Sequence, residues 1–202
     1  MFTSNISYQE RIEKQTSRRT FDRSKGIAVA KSLFHECGFD AVGIAKLTQA
    51  LNINPPSLYA AYGSKANLFE FAIEAYIAEN NLPVNEILAP ERDTSDALKE
   101  LVHQAACLYV RSETERGCMV AEGMRAADQK ARMISNYYCK LSREFIKNFI
   151  VQKEPDKAEE LADYIVVSLQ GLSAAAFAGL PASRVLSVAN LTGIGISSLI
   201  SS

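Results

Sequence analysis

Histidine is scarce in this chain: His35 and His103 are the only two in 202 residues. With no Ser/His/Asp grouping, no metal-ligand spacing and no glycine-rich phosphate loop, an enzyme is disfavoured, and neither cofactor nor metal is expected. The four cysteines, Cys37, Cys107, Cys118 and Cys139, lie far apart and form no CxxC pair. They predict neither a zinc site nor a disulfide framework. Each reads as a small buried apolar side chain, with a thiol redox switch as the minor alternative. Glycine and proline are also few, ten and six, and β-type alternation is rare. No apolar run reaches membrane-spanning length, the longest being broken by Gly, Gln or Ser. The start, MFTSNISYQERIEKQ, lacks the basic-then-apolar order of an export signal. A cytoplasmic protein with no membrane partner is expected.

What is present is helical periodicity in a chain with an ordinary core, 48% apolar and 22% charged. The net charge is only −1, but it is unevenly spread. Met1 to Ala66 holds nine Lys/Arg against five Asp/Glu, and the remainder 13 against 18. That asymmetry suggests a basic reading head on an acidic body.

The spacing predicts an all-α chain of about nine helices. Asp22 caps the first, which carries Ile27, Ala30, Leu33, Phe34 and Cys37 on one face and stops at Gly38. A short helix after Gly43 turns Ile44, Leu47 and Leu51 inward and ends at Asn52, a residue that tolerates the left-handed region. Asn54 caps the third helix, with Pro55 in its first turn. Ser64 caps a fourth, through Leu68, Phe69, Ala72, Ile73, Tyr76 and Ile77. It fades in a loop from Leu82 to Asp93, where Pro83 and Pro90 forbid continuation. The body then offers a helix that Thr94 or Ser95 opens, Asp96 to about Arg111, a short one after Gly117, and a long one that carries Met133, Tyr137, Leu141, Phe145 and Phe149. Two more follow, Asp156 to about Ala178 and a last from Ser183. Residues 1–17 are expected to form a flexible tail, 18–66 a helix-turn-helix domain and 67–202 a helical regulatory and dimerisation domain.

The stretch GIAKLTQALNINPPSLYAAYGSK, Gly43 to Lys65, is the layout of a helix-turn-helix DNA reader. A reading helix presents its first turn to base edges while neighbouring groups hold phosphates. Pro55, Pro56, Ser57, Tyr59 and Ala60 occupy the outer side, and Leu58 points inward. Tyr59 and Tyr62 reach toward phosphate through their hydroxyls, and Lys65 sits in the first turn of the next helix, where an anion is favoured. Arg18, Arg19 and Arg23 are placed to grip backbone or enter a minor groove. The turn offers no Arg, Gln or Glu to read a base edge, so phosphate contact, thymine-methyl contact and DNA shape are expected to dominate.

The span Phe21 to about Glu74 resembles the N-terminal domain of TetR/AcrR-family transcriptional regulators. The marks are Phe34, Gly38-Phe39, Ile44, Leu47, Leu51, Ile53, Ser57-Leu58-Tyr59, Tyr62, Gly63-Ser64-Lys65 and Leu68-Phe69. The resemblance implies that Tyr59, Tyr62 and Lys65 contact DNA. Gly43 stands where the family usually has Ser or Thr, which leaves only backbone N–H for phosphate there, and Asn52 replaces the usual turn glycine. Gly117-Cys118-Met119-Val120 and Leu169 to Ala176 resemble segments of the regulatory domain in one branch of that family.

The resemblance further implies a homodimer through the last two helices. Gly171, Ala174, Ala175 and Ala178 allow close helix approach, and Leu191, Ile194 and Leu199 supply apolar contact. A two-fold pair of heads would address half-sites roughly 34–36 Å apart or a multiple of that. A small-molecule effector is expected in the body. Its candidate lining is His103, Cys107, Tyr109, Met119, Glu122, Met124, Tyr137, Tyr138 and Phe177, a mixture that favours an apolar or aromatic compound. The function expected is a dimeric regulator, a repressor that the effector releases from double-stranded operator DNA. A helical binding protein that kept the fold and lost DNA binding is the alternative that Gly43 suggests.

Overall fold

The computed structural model describes residues 22–80 and 82–201. Arg18, Arg19 and the expected tail 1–17 lie outside them. Among the described residues there are ten α-helices, one short 3-10 turn and no strand.

Four helices build the head: α1 (Arg23–Cys37), α2 (Ile44–Leu51), α3 (Pro55–Tyr62) and α4 (Lys65–Asn80). Helix α1 starts where the Asp22 carboxylate accepts the N–H groups of Ser24 and Lys25, both at 3.1 Å, satisfying donors the helix cannot pair itself. It stops at Gly38, whose φ of +76° favours glycine and whose N–H reaches Phe34 O at 2.9 Å. The Phe34, Phe39 and Phe69 rings then close the centre, with centroids 5.7, 5.2 and 5.0 Å apart. Ala30, Leu47, Leu58, Leu68 and Ile73 fill the space around them.

The body comprises α5 (Val84–Ile87), α6 (Thr94–Tyr109), α7 (Met119–Gly123), α8 (Gln129–Ile150), α9 (Ala158–Phe177) and α10 (Ala182–Ser201). Helix α10 lies along α6, and α9 packs against α6, α8 and α10. Leu98, Val102, Leu161, Ile165, Leu172, Val185 and Ile196 form their common core. Head and body are not separate cores at the expected 66/67 boundary. Tyr76 of α4, Met119 of α7 and Ala131 and Ile134 of α8 all belong to the head's apolar cluster.

The structure departs from the expected elements in three places. The Leu82–Asp93 segment is not all loop: Val84–Ile87 forms one helical turn because Ile87 and Leu88 are buried against the body. Helix α6 starts at Thr94, capped by the Asp93 carboxylate on the Asp96 N–H (2.9 Å), and ends at Tyr109. Helix α10, at 20 residues and mean hydropathy 1.2, is by length and composition apolar enough to cross a membrane, against the expectation that no segment is. Its Val185, Ala189 and Ile196 side is nevertheless packed into the body.

In helix α8 most of the expected apolar stripe faces outward. Met133, Tyr137, Leu141 and Phe145 face outward, 62, 59, 49 and 43% exposed, while Phe149 is buried. The inward side is Ala131, Ile134, Ser135, Ile146 and Ile150. Two contacts fix that rotation. Ser135 lies so close to Gly123 that a Cβ there would sit 2.2 Å from its hydroxyl oxygen. Arg143 is held on α9 by Glu159 (2.7 Å) and Asp163 (2.6 Å).

Candidate nucleic-acid interface

The turn between α2 and α3 is set by its own backbone. Asn52 takes the left-handed conformation (φ 51°, ψ 47°), which asparagine tolerates better than other side chains. Its N–H and that of Ile53 return to Gln49 O (3.2 Å) and Thr48 O (3.1 Å). The Thr48 hydroxyl donates back to Ile44 O at 3.0 Å. Asn54 then caps α3, its side-chain oxygen accepting the Ser57 N–H at 2.9 Å, and Pro55 and Pro56 fill positions where a missing N–H costs nothing. Ser64 caps α4 on the Asn67 N–H at 3.0 Å.

This framework buries Leu58 completely and turns Pro55, Pro56, Ser57, Tyr59 and Ala60 outward, as expected. Tyr59 is 46% exposed. Gly43 begins α2 without a side-chain cap and has open space around its Cβ position, so the first N–H groups of α2 face outward for an anion.

Two expected phosphate contacts are placed differently. Tyr62 is turned inward, 3% exposed, and its hydroxyl donates to Arg23 O at 2.9 Å. It is a strut of the head, since only a buried ring at that point closes α3 on α1. Arg23 itself lies with its guanidinium over the rings of Phe71 (4.8 Å) and Tyr62 (5.7 Å). The Lys65 ammonium lies 3.9 Å from the Phe39 ring centroid. Burial lowers its pKa there, against the opposing pull of Asp40 and Asp128. A phosphate contact from Lys65 requires the side chain to swing off that ring. Sequence reasoning missed Lys46, exposed in the first turn of α2 with its ammonium 3.0 Å from Cys37 Sγ. Its position three residues after Gly43, on the polar side of an amphipathic helix, was the available signal.

Residues 27–72 match the family described as bacterial regulatory proteins, tetR family. Over 194 residues the chain is 36% identical to the HTH-type transcriptional repressor BdcR of Escherichia coli (strain K12), covering 94% of this chain and 98% of that one. The chain belongs to the TetR family. The HTH-type transcriptional repressor ComR of the same strain is 22% identical, with 90% of this chain and 92% of ComR covered. A solved structure of the TetR-family regulator CifR, a cysteine mutant complexed with 26-bp double-strand operator DNA, superposes with a TM-score of 0.74 at 28% identity. The likeness covers 87% of this chain and 97% of that one. This TetR-family member is accordingly a DNA-binding transcriptional regulator with the helix-turn-helix described above.

In the regulator's body, the proposed effector residues do not converge on one cavity. His103 is exposed and, with Lys99, Glu100, Asn190, Ile194 and Ser197, lines an open cleft of about 390 Å³ between α6 and α10. Cys107 lies beside it, Sγ 3.7 Å from His103 Nε2. Tyr137 is on the outer face of α8, and Tyr138 donates from its hydroxyl to Glu74 at 3.3 Å. Met119 is buried in the head cluster, and Phe177 sits at the head–body junction, its Cζ 3.8 Å from the Cβ position of Gly38.

Only Tyr109, Glu122 and Met124 remain within the interior between α4, α6, α8 and α9. Their company there was not foreseen: Tyr76 and Tyr109 lie near Cys118, Tyr109 also near Cys139, and Gln170 reaches Cys139 Sγ (3.4 Å) and Met124 Sδ (3.8 Å). Burial raises the pKa of the Tyr76 and Tyr109 phenols and of the Cys118 thiol, so these groups are neutral at physiological pH.

The outward face of α9 carries Val167 and Gly171, with Ala174 and Ala175 partly covered beside it and Ala178 exposed at its C-cap. That of α10 carries Val188, Leu191 and Ile194. Leu199, expected on that face, instead packs against the body core.

Proposed function

We propose that this chain is a homodimeric cytoplasmic repressor, paired through α9 and α10, that a small uncharged effector of apolar or aromatic character releases from operator DNA. The observation that carries the pairing is the outward apolar face of the two helices, where Val167, Leu191 and Ile194 are 66, 62 and 67% exposed. Beside them Gly171, Ala174 and Ala178 leave room for a second helix to approach closely. A single-copy protein rarely leaves such a face in water. A bilayer is the rival occupant, but α10 buries one whole side against α6, which a spanning helix would have to abandon. The effector reading is supported by the neutral Tyr76, Tyr109, Cys118 and Gln170 group, beside which the Glu122 carboxylate is already taken by Arg125 and Ser173; such an interior would discriminate against an ionised compound. Release then follows if the effector prefers a body conformation whose heads no longer match successive grooves. The shift in population is bounded by that difference in affinity.

The test is sedimentation equilibrium of the wild type and Leu191→Glu, with gel shifts on duplexes selected from genomic fragments. A dimer that dissociates on substitution and binds selected over random duplex supports the reading. A wild-type monomer, or equal binding to random DNA at physiological salt, refutes it. For the effector, neutral aromatic compounds should dissociate the operator complex; release by charged compounds alone would reject its proposed character.

A further inference from the structure

The loop joining α6 to α7 grips both the head and the end of α9. His35, buried on α1, places Nε2 3.1 Å from Gly117 O, so that an Nε2–H donates to that carbonyl. Its ring stands edge-on to Tyr76 at 5.0 Å. Immediately before Gly117, Arg116 donates from Nε to Ala176 O (2.7 Å) and from Nη2 to Leu180 O (2.6 Å). Ala176 is in the last turn of α9, where a cation is favoured by the helix dipole, and Leu180 lies just past the end of that helix. Immediately after it, the Cys118 N–H donates to Ser173 Oγ at 2.8 Å, and Ser173 donates to Glu122 at 3.1 Å.

Gly117 itself is the wedge. Its φ is +75°, and a Cβ would meet Ser173 O at 2.9 Å and Phe177 Cβ at 3.2 Å. A side chain there is excluded both by conformation and by space. Three consecutive residues thus tie the first helix of the DNA reader to the last turns of α9, the helix that carries Val167 and Gly171 on its outward face.

We propose that Arg116 and His35 are positioning residues that, acting through Gly117, fix the angle of the head relative to the dimer face and so set the half-site spacing that the dimer accepts. The inference rests on pairing through α9 and α10. Two donors on one guanidinium hold a direction as well as a distance, and a head turned about α1 moves its reading helix by a large lever arm. The Phe177 ring comes up to the same junction, its Cζ 3.8 Å from where a Cβ would sit on Gly38. It can slide, whereas the hydrogen-bonded strap cannot.

The test uses the full chain and a duplex selected by the wild type from random-sequence DNA. Its half-sites are then moved apart or together by one and two base pairs, and the dimeric state is checked by sedimentation. The wild type should prefer one spacing. Arg116→Ala should weaken binding at that spacing about tenfold, as expected for lost charge-assisted hydrogen bonds, and leave other spacings unchanged, so the profile flattens. His35→Leu should flatten it likewise, and His35→Gln, which keeps a donor, should restore it. Should Arg116→Ala fold poorly by circular dichroism, Arg116→Lys should give an intermediate profile. A dimeric Arg116→Ala whose affinities fall in parallel at every spacing, or do not change, overturns the strap alone. A wild-type monomer overturns the pairing and the strap together.

Discussion

Head and body differ in what they leave on the surface. The head closes around three phenyl rings, with Phe34 and Phe69 1% exposed and Phe39 6%. Its outward reading turn is Pro, Pro, Ser, Tyr and Ala, polar or small. The body also buries large groups, Leu98, Leu161, Ile165 and Ile196 among them, interleaved with small residues such as Ala97, Ala106, Ala162 and Ala176. It leaves further large apolar groups outside, at Met133, Tyr137, Val167, Leu191 and Ile194. A unit that buries its large side chains is complete in one copy. A unit that displays them is complete only with something on top.

The sharpest way to break this contrast is to truncate one aromatic from each unit. Phe69→Ala should cost about 3–5 kcal/mol of unfolding free energy, as for other buried phenylalanines. Tyr137→Ala, on the open face of α8, should stay within about 0.5 kcal/mol. Equal losses in chemical denaturation would remove the distinction. Next in size, Ile194→Glu should weaken the dimer by about 2 kcal/mol or more if this residue lies near the centre of the interface. Binding of the head to a half-site duplex should be untouched, and loss of both would mean that head and body are not independent in this respect.

Within the head, Tyr62→Phe should lower stability by about 1 kcal/mol, because the Arg23 carbonyl loses its donor. Tyr59→Phe should leave stability alone and weaken DNA binding. The reverse pattern would restore Tyr62 to the phosphate contacts. The smallest effect concerns pH. Burial, only partly offset by Gly117 and Glu115, lowers the pKa of His35. The unfolded chain therefore takes up this proton first as pH falls below about 6.5. The contribution is fully present above that value and is lost as pH drops toward the folded pKa. His35→Gln should remove this part of the acid slope in thermal melts between pH 7 and 5.

The same contrast explains what could be read from the residues beforehand. Caps and stops are local, and Asp22, Gly38, Asn52, Asn54 and Ser64 each act where expected. The inward residues of the reader, Leu47 and Leu58, follow from a short helix with one apolar side. In α8 the stripe alone does not say which way it turns. The i, i+4 run from Met133 to Phe145 has a helical period but faces outward, because Gly123 against Ser135 and the Arg143 ion pairs decide the rotation. Those partners come from other helices. Tyr62, Lys65 and the interior group around Tyr109 are hidden for the same reason: their neighbours are distant in sequence, such as Arg23, Phe39 and Gln170.

The account stands most directly on the number of chains per operator. Native mass spectrometry of the protein on a selected operator duplex should show chains bound in pairs. The Leu191→Glu variant should bind singly and more weakly. One wild-type chain per duplex, with the variant binding as tightly, would contradict it.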